Sequence, residues 1–277
     1  MLEALFQYEF LQNAFIVGIL IGLIAPLLGV FIVVRRLSLI ADALSHVTLA
    51  GIAASLLVQK TFVMGATFNP IYVGMAFSVA GSLFIEKLRT VYKHYQELAI
   101  PIILSGGIGL SVIFISLADG FNTDLFSYLF GSVSAVSRTD VWTISIIFFI
   151  VFAVIFLLYK EWFILSFDEE YAQASGVKVR ALHFVFIVLV ALVIAASMRI
   201  VGILLVSSLM TLPVAASIRI ARGFKQALWL SVLFGELAVI VGLFLSYYLN
   251  LAPGGTIVLL AVCILIGAIV WRKWKRG

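Results

Sequence analysis

Asp42 and His46 stand four residues apart in SLIADALSHVTLAG, the stretch Ser38–Gly51, which follows Arg35 and Arg36 and is embedded in apolar sequence. On a helix, residues i and i+4 share one face. A carboxylate and an imidazole form a borderline-hard ligand pair that suits zinc, manganese or iron better than calcium or copper(I). Two ligands are too few for a closed four-coordinate structural site. That shortfall suits a transit site, where binding must be weak enough to release. The structural alternative is that the pair satisfy each other, or cap backbone near Arg35, and the residues alone leave both readings open. Glu236, in LFGELAVIVGL, is the third ionisable residue away from a helix end. An Asp at the centre of a membrane helix costs about 2.5–3.5 kcal/mol on insertion scales, so such groups face an interior or a cavity. Glu236 could line a path, relay a proton or bond a neighbouring helix. Ser38, Ser45 and Thr48 keep the Asp42 half-span polar, which makes Ser45, like Glu236, a pathway candidate. His94 and His183 fall in or beside links and read as interfacial residues.

The elements that must position these residues are membrane helices. Of 277 residues, 64% are hydrophobic and 11% charged, against about 25% charged in a soluble domain. Apolar runs long enough to span a bilayer, about 20 residues each, follow one another with short links. They predict spans at 12–34, 39–58, 70–86, 99–117, 141–159, 181–199, 201–218, 227–249 and 256–271. The fold class is an all-α polytopic membrane protein of about nine transmembrane helices, with eight or ten the alternatives, in a single domain over 1–277. Continuous runs, without period-two alternation, exclude a β-barrel. Scattered basic residues give no nucleic-acid patch. Cys263 has no partner for a disulfide. Neither H-E-x-x-H nor any other catalytic cluster is present, so no catalytic residue and no bound cofactor is expected. Glu3 and Glu9, with no basic leader, argue against a cleaved signal peptide.

Orientation follows from Lys and Arg in the links. One face collects Arg35, Arg36, Lys87, Arg89, Lys93, Lys160, Lys178, Arg180, Arg219, Arg222, Lys225, Arg272, Lys273, Lys275 and Arg276. The other holds only Lys60, Arg138 and Arg199. The first face, with the C-terminus, is therefore expected in the cytoplasm. Two links are longer than a turn requires. The outer one, 118–140, contains TDLFSYLFGSVSAV and predicts a short surface helix or an aromatic belt. The inner one, 160–180, carries acidic residues at 168–170, a helix-forming EEYAQA and a Ser175-Gly176 stop. It reads either as a docking helix for a soluble partner or as a solvated connector. Pro70 and Pro101 fall where spans begin, and Pro253 falls in the outer loop NLAPGG. Pro26 and Pro213 are expected to kink or break their spans, with Ser207, Ser208 and Thr211 as partners for freed backbone groups near Pro213.

RRLSLIADALSHVTLAGIAASLL resembles the second-helix signature of the permease subunits of bacterial divalent-metal ABC importers, the zinc and manganese group. SFDEEYAQASGV, GILLVSSLMTLPVAASIRI and GLFLSYYLNLAPGGTIVLL follow in that family's order, so the likeness covers nearly the whole chain. It implies a fold similar to type II ABC importer permeases, such as that of the vitamin B12 importer, whose surface helix before the fifth span resembles DLFSYLFGSV. It implies a homodimeric permease in the bacterial cytoplasmic membrane. Two copies of an ATPase bind ATP and Mg inside, and an extracytoplasmic metal-binding protein delivers the cargo. The family's metal-contacting pair falls on Asp42 and His46. Its ATPase-coupling region falls on Phe167–Val177, and so on Phe167, Asp168, Glu169, Glu170, Ala172, Ser175 and Gly176. The chain lacks G-x-x-x-x-G-K-[ST], so it is not itself the ATPase. The wording of the signature points to zinc first, then manganese, then iron. The rival classes are a gradient-driven secondary transporter using Asp42 or Glu236, an intramembrane enzyme and a purely structural subunit.

Overall fold

The computed structural model describes residues 7–61, 69–118, 120 and 123–275. Glu3 and Arg276, used above for the leader and the basic tail, lie outside them. Among the described residues nine helices are long and apolar enough to cross a membrane. They are α1 (Glu9–Val34), α2 (Leu39–Thr61), α3 (Pro70–Val91), α4 (Ala99–Leu117), α6 (Arg138–Leu157), α9 (Val179–Val201), α10 (Ile203–Ile220), α11 (Phe224–Leu249) and α12 (Pro253–Trp274). Three shorter helices sit in the two long links: α5 (Thr123–Phe130), α7 (Tyr159–Phe167) and α8 (Glu169–Ala174). All nine predicted spans appear.

Burial divides the helices into an inner and an outer set. α1, α2 and α9 are mostly buried within the chain, whereas α3, α4, α6 and α12 turn most of their surface outward. On α4 the outward residues include Ile102, Ile108, Val112 and Ile113. In lipid such side chains give little force for helix association, so contact depends on small residues and interhelical hydrogen bonds. Both are present. Ser78 on α3 donates to the Ala191 carbonyl on α9 (3.2 Å), Ser217 on α10 meets Ser231 on α11 (2.7 Å), and Thr256 on α12 donates to the Gly242 carbonyl on α11 (3.0 Å).

The prolines do not break their helices. α1 continues through Pro26 and α10 through Pro213. Pro26 deprives the Gly22 carbonyl of its helical donor, and α11 closes over the notch. A Cβ on Gly235 would lie 2.4 Å from the Pro26 ring and 3.0 Å from that carbonyl oxygen. The helix is held by its neighbour rather than broken. Near Pro213, Thr211 donates to the Ser207 carbonyl (2.9 Å). Pro253 is the first residue of α12, not part of the loop, because the N1 position loses nothing from a missing N–H.

Candidate metal-transit site and coupling segment

Asp42 lies three residues into α2 and His46 one turn further, about 5 and 10 Å along the helix at 1.5 Å per residue. Both are half-buried. The hydroxyls around them turn back onto their own helix: Ser45 donates to the Ala41 carbonyl (2.8 Å) and Thr48 to the Leu44 carbonyl (2.6 Å). That leaves the oxygens free to accept but not to donate. The backbone of α4 runs against this turn. A Cβ on Gly107 would lie 2.9 Å from the Val47 nitrogen and 3.2 Å from the His46 carbonyl carbon. Only a glycine lets α4 come so close.

Among the described residues Asp42 and His46 form no hydrogen bond or ion pair, with each other or with Arg35. Arg35 is spent elsewhere: its guanidinium bonds the His183 ring and lies over Phe186, 5.1 Å from the ring centroid. The described residues contain no cluster of three or more His, Cys, Asp or Glu side chains that could hold a metal ion. Glu236 belongs to a different place. It faces α1, where a Cβ on Gly22 would lie 2.9 Å from its Oε1, and that buried oxygen has no hydrogen-bond partner. The structure does not bring it together with Asp42 and His46.

The inner link is a built element. Asp168 caps α8 by accepting from the Tyr171 N–H (2.8 Å). The far end closes with Gly176 at φ +82°, where Gly176 N–H donates to Gln173 (3.0 Å) and Val177 N–H to Ala172 (3.1 Å). This is the Schellman pattern that Ser175-Gly176 predicted. Ala172 is buried and anchors the turn, while Phe167, Asp168, Glu169, Glu170 and Tyr171 are exposed. An aromatic cluster seats α7 above it. Trp162 packs edge-on against Phe31 and Phe186, and Phe163 and Phe167 against Phe224, with centroids 5.1–5.8 Å apart.

Two groups of residues at the helix ends escaped the sequence reading. At the end bearing α7 and α8, His183 (4% exposed) lies 3.7 Å from the Glu169 carboxylate and 3.4 Å from Arg89, besides bonding Arg35. Burial, and then the nearby Arg89 charge, pushes the Arg35 guanidinium down to about 10, which leaves it cationic at neutral pH. At the opposite end Arg199 closes α9. It pairs with Asp140 (3.2 Å), donates to the Ala135 carbonyl (2.5 Å) and the Tyr128 hydroxyl (3.2 Å), and lies over the Tyr128 ring. Asp140 also accepts from the N–H and hydroxyl of Ser137 (2.9 and 2.7 Å), completing a capping box on α6. The only sequence signal was S-x-x-D at Ser137–Asp140.

Known proteins share this architecture. The model of the ABC 3 transport family matches residues 7–272. The manganese transport system membrane protein MntC of Listeria monocytogenes is 36% identical over 276 residues, covering 100% of this chain and 95% of its own. The manganese import system permease protein ScaB of Streptococcus parasanguinis is 36% identical over 277 residues, covering 100% and 96%. Among solved structures, PsaBC from Streptococcus pneumoniae in complex with Fab superposes with a TM-score of 0.82 at 32% identity, over 96% of this chain and 93% of that one. With a family match over residues 7–272, nine helices among the described residues able to span a membrane and relatives named for metal transport, this multi-pass membrane protein belongs to the ABC 3 transport family, as a permease of metal ABC importers.

Proposed function

We propose that two copies of this chain form the pathway of an importer that moves a divalent first-row metal into the cytoplasm, with Asp42 and His46 of each copy as transit ligands. The observation that carries this reading is the pair itself: one turn apart, half-buried and without a hydrogen bond or ion pair among the described residues. Two copies would supply up to four donors, enough to replace part of the cation's hydration shell without closing a permanent site. A partner ATPase docks on the exposed face of α8, with Phe167, Glu170 and Tyr171 as its contact residues, and hydrolyses ATP with Mg. An extracytoplasmic binding protein hands over the metal at the end bearing α5. The Lys and Arg asymmetry supports a cytoplasmic C-terminus.

Manganese is the first cargo to test, ahead of zinc. The signature's wording points to zinc, but the two named relatives are manganese systems, and a carboxylate with an imidazole accommodates either ion. The test is uptake of manganese and zinc in competition, in cells carrying this permease with its ATPase and binding protein. Wild type is set beside Asp42→Ala and His46→Ala. Each variant should assemble with the ATPase and lose uptake by at least roughly ten-fold, the scale of a disrupted metal site. Unchanged uptake in both would remove the pair from the pathway. Uptake driven by a gradient without the ATPase would replace the importer by a secondary transporter.

A further inference from the structure

We propose that His183 and Arg35 are positioning residues that carry movement of the coupling segment to the metal pair. The proposal rests on the reading of α8 as the ATPase contact and of Asp42 and His46 as transit ligands. Neither residue touches ATP or metal.

The connection can be followed atom by atom. Glu169 opens α8, and its carboxylate faces His183 Nε2 at 3.7 Å. His183 is buried on the first turns of α9. Arginine has donors only; Arg35 reaches both ring nitrogens, Nδ1 and, at 3.0 Å, Nε2, and Arg89 reaches Nδ1 as well. Two cations converge on Nδ1, so the neutral tautomer that satisfies most partners accepts at Nδ1 and turns Nε2–H toward the carboxylate. The order of polarity is carboxylate, imidazole N–H, imidazole nitrogen, guanidinium. A neutral imidazole is the one side chain here that offers an acceptor to the cations and a donor to the acid.

Arg35 is the C-cap of α1. Arg36 follows at φ +57°, Leu37 N–H returns to the Ile32 carbonyl (2.9 Å), and α2 begins at Leu39. Asp42 is then seven residues beyond Arg35. A displacement of Arg35 must move this tight turn and the base of α2 with it. Around the chain lies a cavity of about 250 Å³, lined by Val34, Arg35, Arg89, Phe167, Glu169 and His183. That is room for the guanidinium and imidazole to change partners. Packing supplies a parallel route, because Arg35 stacks on Phe186, which touches Trp162 of α7.

The test uses the assembled importer in proteoliposomes, with metal uptake and ATP hydrolysis measured on the same sample. His183→Ala should keep the ATPase bound and hydrolysing, while uptake per ATP falls about ten-fold, within the usual span of coupling between sites. His183→Gln, whose amide can accept from Arg35 and donate toward Glu169, should recover most of that loss. Glu169→Gln, a milder change on an exposed residue, should give a smaller loss of the same kind. The proposal is overturned if His183→Ala leaves uptake per ATP unchanged. It also fails if His183→Gln and His183→Ala lose transport equally, or if the ATPase no longer copurifies with His183→Ala. Failure of the underlying reading shows separately, as an ATPase that remains bound and coupled to a Phe167→Ala, Glu170→Ala variant with His183 intact.

Discussion

The two ends of the helix bundle each hold a half-buried arginine, and they treat it in opposite ways. Arg199 has a carboxylate at 3.2 Å, a backbone carbonyl at 2.5 Å and a tyrosine hydroxyl at 3.2 Å. Around it α5, α6 and α9 meet at one knot. Gly202, at φ +83°, lets the chain turn directly into α10, and the Ser132 N–H donates to the Arg199 carbonyl (2.9 Å). Among the described residues Arg35 has no ion-paired carboxylate. It bonds a neutral imidazole that it shares with a second arginine, beside a cavity. A guanidinium with its charge neutralised at contact distance resists displacement. One held by a shared ring can exchange partners at little cost. The comparison teaches that Arg199 ties α5, α6 and α9 into a fixed knot, whereas Arg35 sits where partners can be exchanged.

The largest effect that tests this contrast is at Arg199. Replacing it with Ala leaves Asp140 buried and unpaired, a change that costs about 3–5 kcal/mol. Thermal unfolding of the purified permease should show a large fall in Tm, and Arg199→Met with Asp140→Asn should recover part of it. Arg35→Ala should cost less, about 1–2 kcal/mol, chiefly from lost packing of its stem and plane on Phe186. Its loss should appear in transport per ATP rather than in Tm. Equal losses of Tm at the two arginines would erase the distinction. The smallest effect is at Ser137→Ala, which removes the α6 cap for about 0.5–2 kcal/mol and should leave transport per folded importer unaltered. A transport defect there would mean that the Arg199 knot itself takes part in transport.

Much of this architecture was legible in the sequence because lipid imposes a simple rule: every backbone group must be satisfied within a helix, so apolar length alone reveals the spans. The α8 stop was legible too, since Gly176 is a local signal for a local turn. Local rules also explain what was missed. Pro26 and Pro213 read as kinks or breaks, and the helix runs on through both; at Pro26 a single sequence does not display the helix that packs against it, since Gly235 is more than two hundred residues away. α7 was merged into a connector because its aromatic residues are explained only by Phe31, Phe186 and Phe224 from other elements. The metal pair was visible as i, i+4 spacing, whereas Arg35 and His183, 148 residues apart, share no pattern that periodicity can detect. Glu236 was visible as an ionisable residue in an apolar run, but its neighbour, the Gly22 and Pro26 notch, was not.

α8 is closed by its own caps, with Asp168 at one end and Gly176 at the other, and it leans on the bundle mainly through Ala172. Its outward side chains are therefore free to vary without disturbing the fold. Exchange of Glu170, Tyr171 and Gln173 between related permeases changes this surface and leaves Phe167, Glu169 and Ala172 in their contacts. Such a surface can drift in sequence while the buried helices stay as they are.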